Sequence, residues 1–315
     1  MRRWTIFAAA GAVILTAGGW VGWRFLRDPT TLLGGVALSY EVDAAHPYDE
    51  GSPREQVLAR TVEVLRGRVA KMASLGRVVA EDDRVVVRLP GQGREIERLK
   101  AVLVRSARLE LKRIDDDCPL VSGTFRQIGP EGLPGVRVVD RRYGAQNWRD
   151  WYLEADSDTT LAAAVAGLQA KRPLLPDRQI VLEHVQEDGQ LHWRTHCVFR
   201  RPDATDADIV DAEPEFDDKT GRVDVAVQFT SAGAKRLEEA TRAWIDRRFA
   251  FLLDGRVLLA PVINSVISER ALINLGAAAA VERREDARDL ITILRIGSLP
   301  APLRLVEERR IDRHH

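Results

Sequence analysis

Three residues that could hold a metal ion, His192, His196 and Cys197, fall within six positions of one another. On a helix, His192 and His196 would share a face and could grip one ion. Their neighbours Leu191, Trp193, Thr195, Val198 and Phe199 favour a strand instead. There, positions four apart lie ~13 Å from each other at ~3.3 Å per residue, too far for one ion with bonds of about 2 Å. No metal and no other cofactor is therefore expected. No serine sits in a Gly-x-Ser-x-Gly elbow and no glycine-rich phosphate loop follows a strand, so nucleophilic and nucleotide chemistry find no residues to carry them. An enzyme is not expected.

A second group is aromatic. Trp148-Arg-Asp-Trp-Tyr152 interleaves large rings with charge, a composition suited to a surface for apolar side chains of an unfolded polypeptide. Trp148, Trp151 and Tyr152 are the candidates for that role, and the alternative is that they form the core of a small lobe. The two cysteines, Cys118 and Cys197, are too few for a disulfide-dense scaffold or a four-cysteine zinc site, but they leave room for one bridge.

The elements that would position these residues follow from composition and periodicity. The 315 residues are 45% hydrophobic, which is enough for two or three compact domains. With 47 basic and 47 acidic side chains the formal charge is zero, and the positive field that nucleic-acid binding needs is missing. Arg2 and Arg3 precede a stretch from Trp4 to Trp23 without a charge, closed by Arg24 and Arg27. As a helix that stretch spans ~30 Å, one bilayer crossing, with Trp4, Trp20 and Trp23 where interfacial aromatics sit. A cleaved signal peptide is the other reading, with Thr16-Ala17-Gly18 as its small-residue site. Flanking arginines leave orientation open.

Beyond the anchor, alternation predicts a strand over 36–43. Ser52-Pro53-x-Glu55 then opens a helix to about Met72, with Val57, Leu58, Val62, Leu65 and Val69 as its apolar stripe and arginines opposite. A hairpin over 78–89, a helix over 95–104 and a strand over 107–114 complete the order β-α-β-β-α-β. The order returns as a strand over 223–229, a helix over 231–246 and a hairpin turning on Asp254-Gly255. A strand over 272–275, a helix over 282–294 and a strand over 303–308 follow. Between the two halves, residues 116–221 hold both cysteines, Trp148, Trp151 and Trp193.

Several ordered motifs carry a family likeness. They are Leu65-Arg-Gly-Arg-Val69, Val85-Val-Val-Arg-Leu-Pro-Gly91, Val227-Gln-Phe-Thr-Ser-Ala-Gly-Ala-Lys-Arg-Leu-Glu-Glu-Ala-Thr241, Leu253-Asp-Gly-Arg-Val257 and Ala260-Pro-Val-Ile263. Leu294-Arg-Ile-Gly-Ser-Leu-Pro-Ala-Pro-Leu303 and Val306-Glu-Glu-Arg309 close the series. In that order and spacing the chain resembles the P1 region of the SecD family, accessory subunits of the bacterial protein-export translocon. The resemblance runs from about Gly34 to Arg309 and is faintest in the middle block.

It implies an α+β fold in which an N-terminal transmembrane helix precedes a ferredoxin-like P1 base assembled from two sequence halves, with an inserted α+β head lobe. The implied division is 1–33 anchor and linker, 34–115 first half of the base, 116–221 head, 222–310 second half of the base, and 311–315 polar tail. It further implies a soluble part in the periplasm, an anchor at residues 4–23 in the bacterial inner membrane, and unfolded preproteins as substrates. SecD/SecF-type or translocon membrane proteins are the implied partners, and nucleic acid is not one. A structural or assembly role, holding a partner membrane protein, is the alternative to polypeptide capture. Family members continue into further membrane helices after the Glu-Glu-Arg block, whereas this sequence runs to His315 with no charge between residues 4 and 23. No proton-driven activity is expected of the chain by itself. In an oxidising compartment Cys118 and Cys197 could close a loop of about 80 residues, worth roughly 4 kcal/mol of denatured-state entropy. Two unrelated buried thiols are the other possibility.

Overall fold

The computed structural model describes residues 34–45, 51–73, 75–81, 84–91, 93–128, 133–144, 146–187, 189–217, 222–273, 291–292 and 294–312. The expected anchor at 4–23 lies outside them, as does most of the helix expected over 282–294. Among the described residues no helix is long and apolar enough to cross a membrane.

The described chain divides into two units, one of residues up to Val104 together with those from Pro300, the other Arg105–Leu299. In the first, β1 (Gly35–Val42), α1 (Arg54–Met72), β2 (Arg77–Glu81), β3 (Arg84–Pro90) and α2 (Arg94–Leu103) are joined by the last strand of the chain, β15 (Leu303–Ile311). The sheet order is β15-β1-β3-β2, with every neighbouring pair antiparallel. The register explains the core. Val36, Leu38 and Tyr40 stand opposite Leu89, Val87 and Val85, all are buried, and alternate residues of a strand share a face. Gly35 is where β1 passes closest to β3, since a Cβ there would lie 2.2 Å from the Leu89 carbonyl oxygen.

Helix α1 supplies Val57, Val62, Leu65 and Val69 to the interior, as its stripe predicts. Its arginines are not all solvated, however. Arg68 is 0% exposed and donates from Nη1 to the carbonyls of Val102 and Leu103, at 3.3 and 3.0 Å. A guanidinium thus meets the C-terminal carbonyls of α2, where a helix leaves acceptors unpaired and favours positive charge. Pro53 rather than Ser52 takes the N-cap position of α1.

The second unit begins with β4 (Leu109–Arg113), α3 (Pro119–Ile128), β5 (Arg137–Tyr143), β6 (Trp148–Ala155), α4 (Asp158–Lys171), β7 (Arg178–Glu187) and β8 (Gln190–Phe199). It continues through β9 (Ala204–Thr205), β10 (Ile209–Asp217), β11 (Arg222–Phe229), α5 (Ser231–Arg242), β12 (Phe249–Leu253), β13 (Arg256–Leu259) and β14 (Arg270–Ile273). Eight strands form one sheet in the order β5-β6-β8-β7-β13-β12-β4-β9, and β10-β11-β14 form another. The Asp254-Gly255 turn has both residues at positive φ, 53° and 78°, as a tight hairpin between β12 and β13 requires.

This arrangement corrects the expected division at 115 and 222. Strand β4 pairs with β12 rather than closing the first sheet, and the last strand of the chain closes it instead. Nor are residues 116–221 a lobe apart. Val181 and Val198 from that block share an apolar core with Ile114, Ala250, Leu252 and Val257, and β7 lies parallel to β13 in the same sheet. Splitting them would expose that shared surface to water, at roughly 25 cal/mol per Å².

Candidate functional site

Helix α3 opens at Pro119, a residue suited to the first helical position because its missing N–H would go unpaired there anyway. Helix α4 closes at Lys171, with the Arg172 N–H reaching the Leu168 carbonyl at 2.8 Å. The segment that follows, Arg172-Pro-Leu-Leu-Pro-Asp177, cannot continue the helix because Pro173 and Pro176 fix φ and carry no donor. It crosses beside the start of α3, where Gly123 makes room for Arg172. A Cβ at that glycine would fall 1.6 Å from the guanidinium Nη1, which donates to the Pro119 carbonyl at 3.1 Å.

Between the two segments lies a cleft of about 440 Å³, lined by Cys118, Pro119, Leu120, Leu174, Leu175 and Arg178 among others. Leu120 is 2% exposed and belongs to the interior side, while Leu175 is 52% exposed at the mouth. Arg178 is held by Asp115, its Nε donating to Oδ2 at 2.7 Å, and its guanidinium carbon sits 3.5 Å from the Phe199 ring centroid. The arrangement offers an apolar recess with guanidinium donors beside it. That chemistry suits an apolar side chain on an extended peptide whose carbonyls face the arginines, and it reads no particular sequence.

The other face of β7 and β8 is ionic. The carboxylate of Glu183 accepts from Arg194 Nε at 2.6 Å and lies 2.6 Å from His196 Nε2. Glu187 accepts from Arg194 at 3.1 Å and from Arg141 at 2.9 Å. Burial alone would raise the Glu183 carboxyl, yet hydrogen bonds and charge from His196 and Arg194 hold it at about 2. Farther along, Arg248 is 7% exposed and pairs with Asp116 at 2.9 Å and with Asp150. Tyr143 donates to Asp116 at 2.5 Å.

The aromatic residues singled out in the sequence do not form one patch. Strand alternation puts Trp148 and Tyr152 on one face of β6 and Trp151 on the other. Tyr152 is 1% exposed, so the side chain is interior and has no surface to offer. Trp148 is half-buried beneath Arg247, whose guanidinium carbon is 4.4 Å from a ring centroid. Trp151 packs against the cluster of Val121, Val138, Leu153 and Leu161. His192 and His196 fall on a strand as expected, each facing a glutamate, Glu154 at 3.7 Å and Glu183 at 2.6 Å. Cys197 points to the opposite face of β8 from His196 and meets Cys118 in a buried cluster with Leu120. Among the described residues no group of three or more His, Cys, Asp and Glu could hold a metal. The cleft itself escaped the sequence reading. Its one signal was the Leu174-Leu175 pair between two prolines, apolar side chains in a loop that must run at the surface.

Comparison with known proteins bears on the same unit. The family model described as SecDF, P1 head subdomain, matches residues 180–301. That stretch takes in residues 222–299, which had been expected in the base, and its end falls beside the boundary between the two units at Leu299. Protein translocase subunit SecDF of Thermus thermophilus is 43% identical over 280 residues, covering 89% of this chain and 30% of that protein. Protein translocase subunit SecD of Endomicrobium trichonymphae is 28% identical over 293 residues, covering 91% of this chain and 54% of its own length. The chain therefore spans less than two thirds of either relative. A crystal structure of SecDF in a super-membrane-facing form matches with a TM-score of 0.55 and 25% identity, over 95% of this chain and 34% of that one. A second solved structure, of a membrane component SecDF that enhances protein export, matches with a TM-score of 0.52 and 25% identity, over 86% and 98%.

Proposed function

The chain belongs to the SecD family and carries its P1 region, and from that premise we propose that it assists protein export by holding emerging, unfolded polypeptide in the cleft between α3 and the 172–178 loop. In this reading the described units lie on the periplasmic side of the bacterial inner membrane, and residues 4–23 are the anchor. The first unit is a ferredoxin-like base, and translocon or SecF-type membrane proteins are its partners. The role is one of binding, with no catalytic step.

The observation that carries the proposal is the cleft of about 440 Å³ that pairs Leu120, Leu174 and Leu175 with Arg172 and Arg178. Apolar recesses with donors beside them hold extended peptides through features every sequence shares, which suits a protein meeting many clients. Trp148 and Trp151, both half-buried, extend the proposed contact set only where their rings reach the surface.

The test is a titration of a fluorescent, permanently unfolded polypeptide with the full chain in mild detergent. Leu175→Asp, at an exposed position, should leave the fold intact and weaken binding by about tenfold, the equivalent of losing roughly 1.4 kcal/mol of apolar contact. Equal binding by wild type and variant would remove the cleft from the mechanism, and no binding by either would remove the proposal.

A further inference from the structure

The cleft ends on a pair of thiols. Cys118 lines it and is 3% exposed, and Cys197 lies behind at 5%. The two side chains pack together inside a buried cluster completed by Leu120. They are 79 residues apart in the chain, 118 against 197, and are held together by backbone contacts that do not involve sulfur. The Asp115 N–H donates to the Cys197 carbonyl at 2.8 Å, and the Cys118 N–H donates to the Asp115 carbonyl at 3.2 Å. Ile114 also bridges to Val198. Asp115 is itself fixed by Arg178 at 2.7 Å. The pair is thus set by the frame of β4, β8 and α3.

The two sulfurs are not equivalent. Cys118 immediately precedes α3, next to the N–H groups of Leu120 and Val121, the donors a helix leaves unpaired at its start. The neighbouring Cys197 side chain and these backbone N–H groups lower the Cys118 thiol, while Cys118 and burial raise that of Cys197. A thiolate, rather than a thiol, is the attacking species in disulfide exchange. Only Cys118 of the two lines the cleft.

We infer that Cys118 and Cys197 are a disulfide-forming site in which Cys118 attacks an external low-molecular-weight disulfide through the cleft and Cys197 resolves the product. Cys118 sulfur bonds to one sulfur of the external disulfide RSSR, whose S–S bond breaks to release RS⁻, and this takes up the Cys118 proton. Cys197 then loses its proton, and its sulfur attacks the Cys118 sulfur and expels the second RS⁻, which is protonated in turn. The sum is two thiols and RSSR giving one intramolecular disulfide and two RSH: the cysteines are oxidised and the external disulfide is reduced. The product would tie the start of α3 to β8 and close the inner end of the cleft. The inference rests on the geometry of the pair and not on polypeptide binding, so the two can fail separately.

The experiment exposes the full chain to glutathione disulfide, quenches with acid, denatures, and counts free thiols by maleimide mass tagging. The expected result is two tags before exposure and none after, with no glutathione retained. In Cys197→Ala, glutathione should remain as an adduct on Cys118. In Cys118→Ala, modification of Cys197 should be slower by on the order of tenfold or more. Two tags on the wild-type protein after prolonged exposure would overturn the inference, as would a stable glutathione adduct on it. Preferential trapping of glutathione on Cys197 would overturn the assignment of Cys118 as attacker. The wild-type count decides the main claim even if either alanine variant folds poorly.

Discussion

Replacing Arg248 by Met should destabilise the second unit by about 3–5 kcal/mol, because it strands two carboxylates away from water. Arg248 is 7% exposed, and its partners Asp116 and Asp150 are 4% and 6% exposed. The cluster joins three segments far apart in sequence: the residue before β12, the approach to α3, and β6. Tyr143 on β5 adds its hydroxyl to Asp116. Desolvation is the largest influence on Asp116 and raises its carboxyl despite Arg248, so removing the guanidinium leaves the Tyr143 hydroxyl as its remaining counterweight. A buried ion pair is weak evidence of net stability, since neutral replacement of all its members is often harmless. The triple variant Arg248→Met, Asp116→Asn, Asp150→Asn should therefore recover most of the loss. Calorimetry would read a fall in Tm on the order of 10 °C for the single variant and a smaller one for the triple. Equal losses in both would mean that packing, not charge, holds the junction.

The second large effect is on acid stability. Glu183 is held at about 2 against an ordinary value of 4.5, so it favours the folded state fully above pH 4.5. That contribution is lost as pH falls through about 2, because the unfolded chain binds the proton first. A difference of this size corresponds to about 3 kcal/mol. Glu183→Gln should unfold at lower urea than wild type at pH 7, and the gap should close progressively below pH 4.5 until the two coincide near pH 2. Glu187 is also lowered, chiefly by its hydrogen bond from Arg141, and steepens the wild-type curve in the same direction. A gap independent of pH would show that Glu183 acts through shape rather than charge.

Most elements of the fold are legible in the sequence, but their partners are not. The stripe of α1, the alternation in β1 and β3 and the Asp254-Gly255 turn are local signals, and each element forms where those signals put it. Strands β4 and β15 read equally well as the closing strand of the first sheet. The choice between them is settled by pairing across the whole chain, with Gly35 opposite Ile311 and Leu109 opposite Leu253. Local periodicity holds no information about such a choice. Burial of cations was equally hidden. Arg68 and Arg248 look like solvated arginines until the Val102 and Leu103 carbonyls and the carboxylates of Asp116 and Asp150 arrive from elsewhere. Tyr152 is different, since the alternation of β6 already separated it from Trp151. The cleft needed α3 and the 172–178 loop to meet, and these segments are about 50 residues apart in the chain.

The central claim is that this cleft touches the exported chain, and site-specific photocrosslinking tests it most directly. A photoreactive residue at position 175, exposed at the mouth of the cleft, is compared with one at position 305, an exposed leucine of the first unit. Both are placed in the full chain in membranes carrying an arrested preprotein. The account predicts a crosslink to the preprotein from position 175 that exceeds the one from position 305 and disappears when the preprotein is released. Equal yields from the two positions, or no preprotein adduct at 175, would contradict it.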